Sequence, residues 1–314
     1  MGRTLAVNRD SFWRRLVCGV RRLRQRPDWE RYAGPGWAER VMGAEVTDRL
    51  HVKQGRSTGR WVLRAAGTPG DELAVYLKRH HRLPWWRRLL ATLWPWGDWS
   101  PGFQEWNHLE WARRQGLPVP EPVAAGEFAG PWGRLEGFLA VRDLAGMLPL
   151  NEAVPLAQSR LDAPAFRRWK RGLAEELARL ARRLHDRRCF HKDLYLCHFF
   201  IRAEDTQSPP EGPPGEAWRG RVHLIDLHRL AHHPWTWRVW QVKDLAQLLY
   251  SSEVAGVDVR DRLSFWRHYR GPAGPAGSAD RWLLRAVRLK WRRYRAHNLR
   301  RKARMTEGLD ANRP

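Results

Sequence analysis

The stretch His191-Lys192-Asp193-Leu194-Tyr195-Leu196-Cys197-His198-Phe199-Phe200-Ile201 ends on an apolar strand, and 33 residues after its first histidine comes Leu224-Ile225-Asp226-Leu227-His228-Arg229. Each places an aspartate in a turn beside a short apolar run. Asp193 precedes Phe199-Phe200-Ile201, and Val222-His223-Leu224-Ile225 leads directly into Asp226. Two carboxylates at the ends of adjacent strands meet the needs of phosphoryl transfer. There the protein mainly positions an alcohol against a phosphate and neutralises charge with metal and cations. One carboxylate takes the hydroxyl proton and the other holds the metal.

The order and spacing follow the two acidic loops of protein kinases, H-R-D-x-x-x-x-N and D-F-G. His191, Lys192 and Asp193 fill the first three positions, and His191 reads as a brace of the loop backbone. Two departures stand out. His198 occupies the place of the asparagine that helps bind metal, which makes it a candidate either for the metal, after Asp226, or for the geometry of the loop. Leu227-His228 replaces Phe-Gly. Both argue against a eukaryotic-type protein kinase.

The string H-K-D-L-Y-L-C-H-F-F, with I-D-L-H-R and Val242-Lys243-Asp244-Leu245-Ala246-Gln247-Leu248, closely resembles the bacterial lipopolysaccharide core heptose kinase family. It resembles almost as well the related kinases acting on 3-deoxy-manno-octulosonic acid. The resemblance covers roughly residues 45 to 255 and is most specific over 191–201 and 224–250. It implies an α+β, bilobal, protein-kinase-like fold, with a small antiparallel β lobe and a mainly helical large lobe. It also implies transfer of phosphate from ATP, with Mg2+, to a hydroxyl of an inner-core sugar, so that a lipid-linked core oligosaccharide is the substrate.

The other parts of such a site can be sought by the job each performs. A strand lysine contacts the α/β-phosphates and a helix glutamate pairs with it. Leu73-Ala74-Val75-Tyr76-Leu77-Lys78 is an apolar run ending in lysine, which makes Lys78 the candidate. The segment from Gly102 to Ala112 reads as a helix ending at Gly116, before Pro118 and Pro120. Its Glu105 resembles the pairing residue of the family, with Glu110 as the fallback. Between two strand-like stretches, Gln54-Gly55-Arg56-Ser57-Thr58-Gly59-Arg60 offers Gly55, Ser57 and Gly59 to cover phosphates, and equally reads as an ordinary hairpin turn. Arg142, Asp143 and Leu144 follow the strand Phe138–Val141 as the hinge whose backbone meets adenine. Asp244 reads as opening a helix over 244–252, either as its cap or as a group that hydrogen-bonds the catalytic loop.

Lys+Arg number 57 against 33 Asp+Glu, a net charge of +24, and 20 tryptophans accompany them. The excess lies in Trp13–Arg26, Pro84–Trp99 and Arg281–Arg304, each mixing arginine with bulky aromatic residues. In Pro84–Trp99 indoles can sit at headgroup level while arginines meet phosphates, so an anionic inner-membrane surface is an expected partner; the bland reading makes the tryptophans lobe core. A pI of about 11.3 also suits nucleic acid. No nucleic-acid fold motif accompanies it, and no specific nucleic-acid partner is expected. A small-molecule phosphotransferase for cationic substrates shares the aspartate pair but needs an acidic pocket, and loss of the asparagine admits a binding-only pseudokinase. With 43% hydrophobic residues the chain can bury a full core, and no run of about 18 apolar residues is present to span a bilayer. Three cysteines, Cys18, Cys189 and Cys197, leave one unpaired in any disulfide scheme, and Met1-Gly2-Arg3-Thr4-Leu5 does not read as a signal peptide. A cytoplasmic enzyme peripheral to the inner membrane face is the expectation.

The domain reading is a basic Arg/Trp-rich segment over 1–43 without a fold of its own, then a kinase-like N-lobe over 44–142 with a basic aromatic insertion at 84–101. The C-lobe spans 143–314 and carries a flexible Pro/Gly-rich loop at 203–220, a Gly271–Gly277 linker and a basic helix at 281–304. Within the C-lobe, Phe166, Trp169, Leu173, Leu177, Leu180 and Leu184 step by three and four and predict one long helix.

Overall fold

The computed structural model describes residues 12–53, 55–65, 70–94, 96–271 and 277–310. Gln54, the start of the chain and residues 272–276 of the expected linker lie outside them. The chain divides into two units, residues 1–145 with 226–228, and residues 146–225 with 229–314.

Among the described residues the first unit is built on six strands and five helices: α1 (Phe12–Cys18), β1 (Val20–Gln25), α2 (Trp29–Ala33), α3 (Trp37–Arg40), β2 (Thr47–Lys53), β3 (Arg56–Arg64), β4 (Glu72–His80), α4 (Trp85–Leu93), α5 (Pro101–Arg114), β5 (Pro122–Ala129) and β6 (Leu135–Arg142). The sheet order is β1-β5-β6-β4-β3-β2, antiparallel throughout. Alternation on β4 sends Leu73, Val75 and Leu77 into a core with Trp29, Trp37, Val41 and Phe138. Lys78 is left on the opposite face. That second face is covered by α5, capped by Ser100 and burying Phe103, Trp106 and Leu109. Gly102 permits the approach, since a Cβ there would lie 2.5 Å from the Phe138 carbonyl oxygen.

Two expectations change here. Residues 12–43 do not stand apart from the sheet: β1 is its edge strand, paired with β5, and Trp29, Trp37 and Val41 are core residues. Arg79, buried in the sheet, holds the end of that segment by donating to the carbonyls of Met42 and Ala44 at 3.1 and 2.7 Å. The basic aromatic insertion ends at Ser100, because Pro101 is already the first residue of α5.

The second unit is mainly helical, with β7 (Met147–Pro149), α6 (Leu150–Arg160), α7 (Ala163–His185), β8 (Cys189–Phe190), β9 (Phe199–Arg202), α8 (Pro214–Ala217), β10 (His223–Leu224), β11 (Ala231–His232), α9 (Trp237–Ser251), α10 (Val259–Arg270) and α11 (Ser278–Asp310). The predicted stripe of α7 is buried from Phe166 to Leu184. The expected loose loop at 203–220 is packed instead. Trp218 is 1% exposed and meets Trp169 edge-on at 5.5 Å, and Trp169 Nε1 donates to the Asp205 carbonyl at 2.7 Å. Its Pro and Gly residues shape turns around a buried indole. The basic helix is longer than read, starting at Ser278 and seating Leu283 and Val287 in the core. A small antiparallel β unit carrying one long helix, followed by a helical unit, makes this the protein-kinase-like α+β fold.

Candidate active site

In the first unit, Lys78 Nζ donates to Glu105 Oε1 at 2.7 Å and to Asp226 Oδ1 at 3.2 Å. Glu105 is 3% exposed, so its charge depends on that ammonium for compensation. Burial acts to lower the Lys78 pKa, and the two carboxylates outweigh it, holding the amine above its ordinary value. Glu110 is half-buried and lies beside Arg113, which leaves Glu105 as the pairing residue. Asp226 sits at φ 63. Its Oδ1 also meets His228 Nδ1 at 2.9 Å, and the next carbonyl, of Leu227, meets His108 Nδ1 at 2.8 Å.

The glycine-bearing hairpin and the hinge are partly committed already. Gly55 turns the chain at φ 77, and Gly59 pairs with Leu77 inside the sheet. The Ser57 hydroxyl is buried and accepts from Arg79 Nε at 3.0 Å, on the face of the sheet opposite Lys78. At the hinge, the Arg142 amide donates to the Glu121 carbonyl and the Asp143 amide to the Ala74 carbonyl, at 2.8 and 2.9 Å. The Asp143 carboxylate pairs with Arg60 at 2.8 Å. These two amides are therefore not donors to adenine; Leu144 is the next backbone position along.

In the second unit, the loop around Asp193 is hung on one buried carboxylate. Asp244 accepts the His191 amide on Oδ2 and the Lys192 amide on Oδ1, both at 2.8 Å, and lies 3.3 Å from His185 Nε2. It has no solvent exposure. The helix that carries it begins seven residues earlier than read, at Trp237, so Asp244 is an interior residue and no cap. Lys192 is held at φ 68, with its carbonyl receiving Lys243 Nζ at 2.6 Å. His191 Nε2 meets the Ile225 carbonyl at 2.9 Å, as a brace for the loop backbone should.

Asp193 itself is fixed from two sides. Arg229 Nη1 donates to Oδ2 at 2.9 Å and Gln247 Nε2 to Oδ1 at 3.4 Å. His198 Nδ1 meets the Asp193 carbonyl at 2.7 Å. Mg2+ takes oxygen ligands in octahedral geometry, and an imidazole bonded to the loop backbone is a poor match for it. His198 is thus a structural element of the loop, and Asp226, whose side chain is 32% exposed, is the donor that fits a hard cation.

Arg229, Gln247 and Lys243 were missed in the sequence. Gln247 follows Asp244 by three residues on one helix, so the two share a face, and that spacing was the available signal. Arg229 had only its nearness to Asp226.

The chain matches the model of the lipopolysaccharide kinase (Kdo/WaaP) family over residues 51–269. The lipopolysaccharide core heptose(I) kinase WaaP of Pseudomonas aeruginosa is 31% identical over 166 residues, covering 53% of this chain and 58% of that protein. The match therefore spans somewhat more than half the length of that relative. The Escherichia coli protein of the same name is 28% identical over 199 residues, 63% of this chain and 71% of the relative. A solved structure of WaaP in complex with acyl carrier protein superposes with a TM-score of 0.62 at 27% identity, over 88% of this chain and 99% of that one. The family match runs through Lys78, Glu105, Asp193, Asp226 and Asp244 alike, and the chain belongs to the lipopolysaccharide kinase (Kdo/WaaP) family.

Proposed function

We propose that this protein transfers the γ-phosphoryl group of ATP to a heptose hydroxyl of the lipopolysaccharide inner core. The observation that carries the reading is the Lys78 ammonium held at 2.7 Å from Glu105 and 3.2 Å from Asp226. A strand lysine set between a helix carboxylate and a metal-binding aspartate is the phosphate grip of a kinase. The sugar oxygen attacks the γ-phosphorus, the bond from that phosphorus to the bridging oxygen breaks, ADP leaves, and the hydroxyl proton passes to Asp193. Lys78 grips the α/β-phosphates while Glu105 keeps the amine charged and aimed. Arg229 and Gln247 hold the Asp193 carboxylate in one orientation. Mg2+ held by Asp226 would supply neutralisation of phosphate charge.

The relative solved with acyl carrier protein gives a reason to include that class of partner. The second unit contains an apolar cavity of about 400 Å3, bordered by Leu173, Leu177, Leu245, Leu248, Val287 and Trp291, a size and lining suited to an acyl chain. We propose it as the seat of a carrier-borne chain.

Magnesium-dependent ATP turnover with extracted core glycolipid tests the function, with mass spectrometry naming the phosphorylated sugar and any co-purified carrier. Asp193→Ala should lower turnover by roughly 10²–10⁴-fold, and Asp226→Ala should abolish its magnesium dependence. Full transfer by either folded variant overturns the assignment.

A further inference from the structure

The α4 helix is turned the wrong way round for a helix of a water-soluble surface. Trp85, Trp86, Leu89 and Leu93 fall within about 100° of one another on the helical wheel, and they are 73%, 45%, 50% and 44% exposed. The inward side carries Ala91, 1% exposed. The arginines of α4 point back to the protein: Arg87 donates to the Trp99 carbonyl at 2.9 Å and Arg88 to the Gly133 carbonyl at 2.8 Å. A surface helix normally buries its apolar stripe and hydrates its charges. Here the charges anchor the helix and the stripe is presented outward.

The neighbours of α4 do the same. After it come Trp94 and Trp96, and on α1, which packs against α4, Trp13 and Val17 share a face, all of them exposed. The turn holding Trp132 is tied to α1 by its amide, which donates to the Leu16 carbonyl at 2.9 Å. Trp132 is exposed and sits at φ 55 in the turn between β5 and β6, which the Arg134 amide closes on the Pro131 carbonyl at 3.2 Å, so the hairpin holds its indole outward. An apolar surface of this extent on a soluble unit marks an interaction site.

We propose that this face of the β unit, centred on Trp85, Trp86, Leu89 and Leu93, is an interfacial anchor that inserts into an anionic lipid bilayer. The inference rests on the reading that the acceptor is a lipid-anchored glycan. Indole rings join an apolar body to one polar N–H and settle at the headgroup level of a bilayer. A short amphipathic helix lying in the interface sinks its apolar side about 5–10 Å. The exposed cations Arg14 and Arg82 occur on the same elements or beside them, and the chain carries a net charge of +24, which complements anionic headgroups. A protein partner would call for the same apolar area but not for this excess of cations around it.

Flotation of the full-length protein with vesicles tests the anchor without nucleotide or acceptor. Vesicles of phosphatidylcholine with phosphatidylglycerol should carry the protein up, and pure phosphatidylcholine should do so more weakly. Trp85→Ser/Leu89→Ser, at sites already facing outward, should keep the melting temperature and weaken partition by roughly a hundred-fold. The same variant should keep its turnover on deacylated core oligosaccharide while losing turnover on vesicle-embedded glycolipid. Undiminished flotation of the variant, or no flotation of the wild type, overturns the anchor. So does a concentration-dependent wild-type dimer that the variant abolishes, which assigns the face to a second copy. Flotation without any phosphoryl transfer would sink the kinase reading and leave the anchor standing, so the two failures are distinguishable.

Discussion

Substitution of Asp244 should uncouple the folding of the catalytic loop from the rest of the protein. Its carboxylate has no solvent exposure and accepts two backbone amides at 2.8 Å, those of His191 and Lys192, the two residues before Asp193. A hydrogen bond to a charged group contributes about 1.5–3 kcal/mol, and a buried donor left without a partner costs about 1–3 kcal/mol. In Asp244→Asn the amide oxygen can serve one N–H, while the amide nitrogen, itself a donor, confronts the other. One bond is lost and one repulsion gained, about 2 kcal/mol. In Asp244→Ala both amides lose their acceptor, about 4 kcal/mol. The effect on catalysis should exceed the effect on stability, because a displacement of about 1 Å at the reacting group costs on the order of 100-fold in rate. Lys78, Glu105 and the Asp226 side chain are untouched, so the KM for ATP should change little while kcat falls by about 100-fold or more. Urea unfolding and steady-state kinetics of both variants give the two numbers. An Asp244→Ala protein with wild-type stability and kcat would refute the role assigned to this carboxylate.

His80 should make the protein acid-sensitive. Burial, with Arg56, Lys78 and other cations nearby, pushes its pKa down to about 3, below the ordinary value of about 6.5 for an unfolded chain. The unfolded chain therefore takes up the proton first, and stability is complete above about pH 6.5 and declines as pH falls towards 3. At pH 5 the loss is about 2 kcal/mol, from 1.5 pH units at about 1.36 kcal/mol each. Urea midpoints at pH 7.5 and 5 should differ for the wild type and differ less for His80→Leu; an equal pH response in both removes His80 as the cause. Trp218→Ala should cost about 3–5 kcal/mol, because its ring is packed on Trp169 in the segment once read as a loose loop. Calorimetry that shows no loss would restore that segment to the status of a linker.

The parts of the site that were legible in the sequence are those whose chemistry fixes the residue type and the order. A phosphate grip requires a strand lysine and a helix acid, and Lys78 and Glu105 stand 2.7 Å apart. The buried partner of the loop needed an acid on the following helix, which Asp244 supplies. Less legible was whatever depends on distant chain. β1 reads Val20-Arg21-Arg22-Leu23-Arg24-Gln25, a string whose charges hide a strand. It becomes one by pairing with β5, with the Arg22 and Arg24 guanidinium groups lying 5.0 and 4.6 Å from the Phe103 ring centroid. Composition also misled at 203–220, where turn-forming residues were taken for looseness while a single tryptophan decided the packing. For His198, position in a motif names the place, while the bond made there, from Nδ1 to the Asp193 carbonyl, favours loop geometry of the two roles open to it.

Four residues other than glycine take a positive φ among the described residues, Trp132, Arg188, Lys192 and Asp226. A left-handed residue costs about 1–2 kcal/mol unless its side chain is Gly, Asn or Asp, so each must be held by contacts that repay it. Lys192 is held by Asp244 at its amide, by Lys243 at its carbonyl and by the Trp240 ring 4.6 Å from its ammonium. Asp226 is a residue that tolerates the conformation, and its carboxylate faces Lys78 and His228. Arg188 sits just before β8 with its guanidinium 3.9 Å from the Trp237 ring, and its carbonyl receives the His233 amide. Arg188 and Lys192 lead into Asp193, and Asp226 is itself the second aspartate assigned to chemistry, where fixed geometry is worth its cost. Trp132 is held differently, by backbone alone: its amide donates to the Leu16 carbonyl of α1 at 2.9 Å, and the Arg134 amide closes the β5–β6 turn on the Pro131 carbonyl at 3.2 Å. The turn fixes the direction of the indole without using the ring, which stays 71% exposed. Its ring is therefore available to the bilayer proposed for α4 at no further conformational cost, whereas the side chains of Lys192 and Asp226 are already engaged inside the protein.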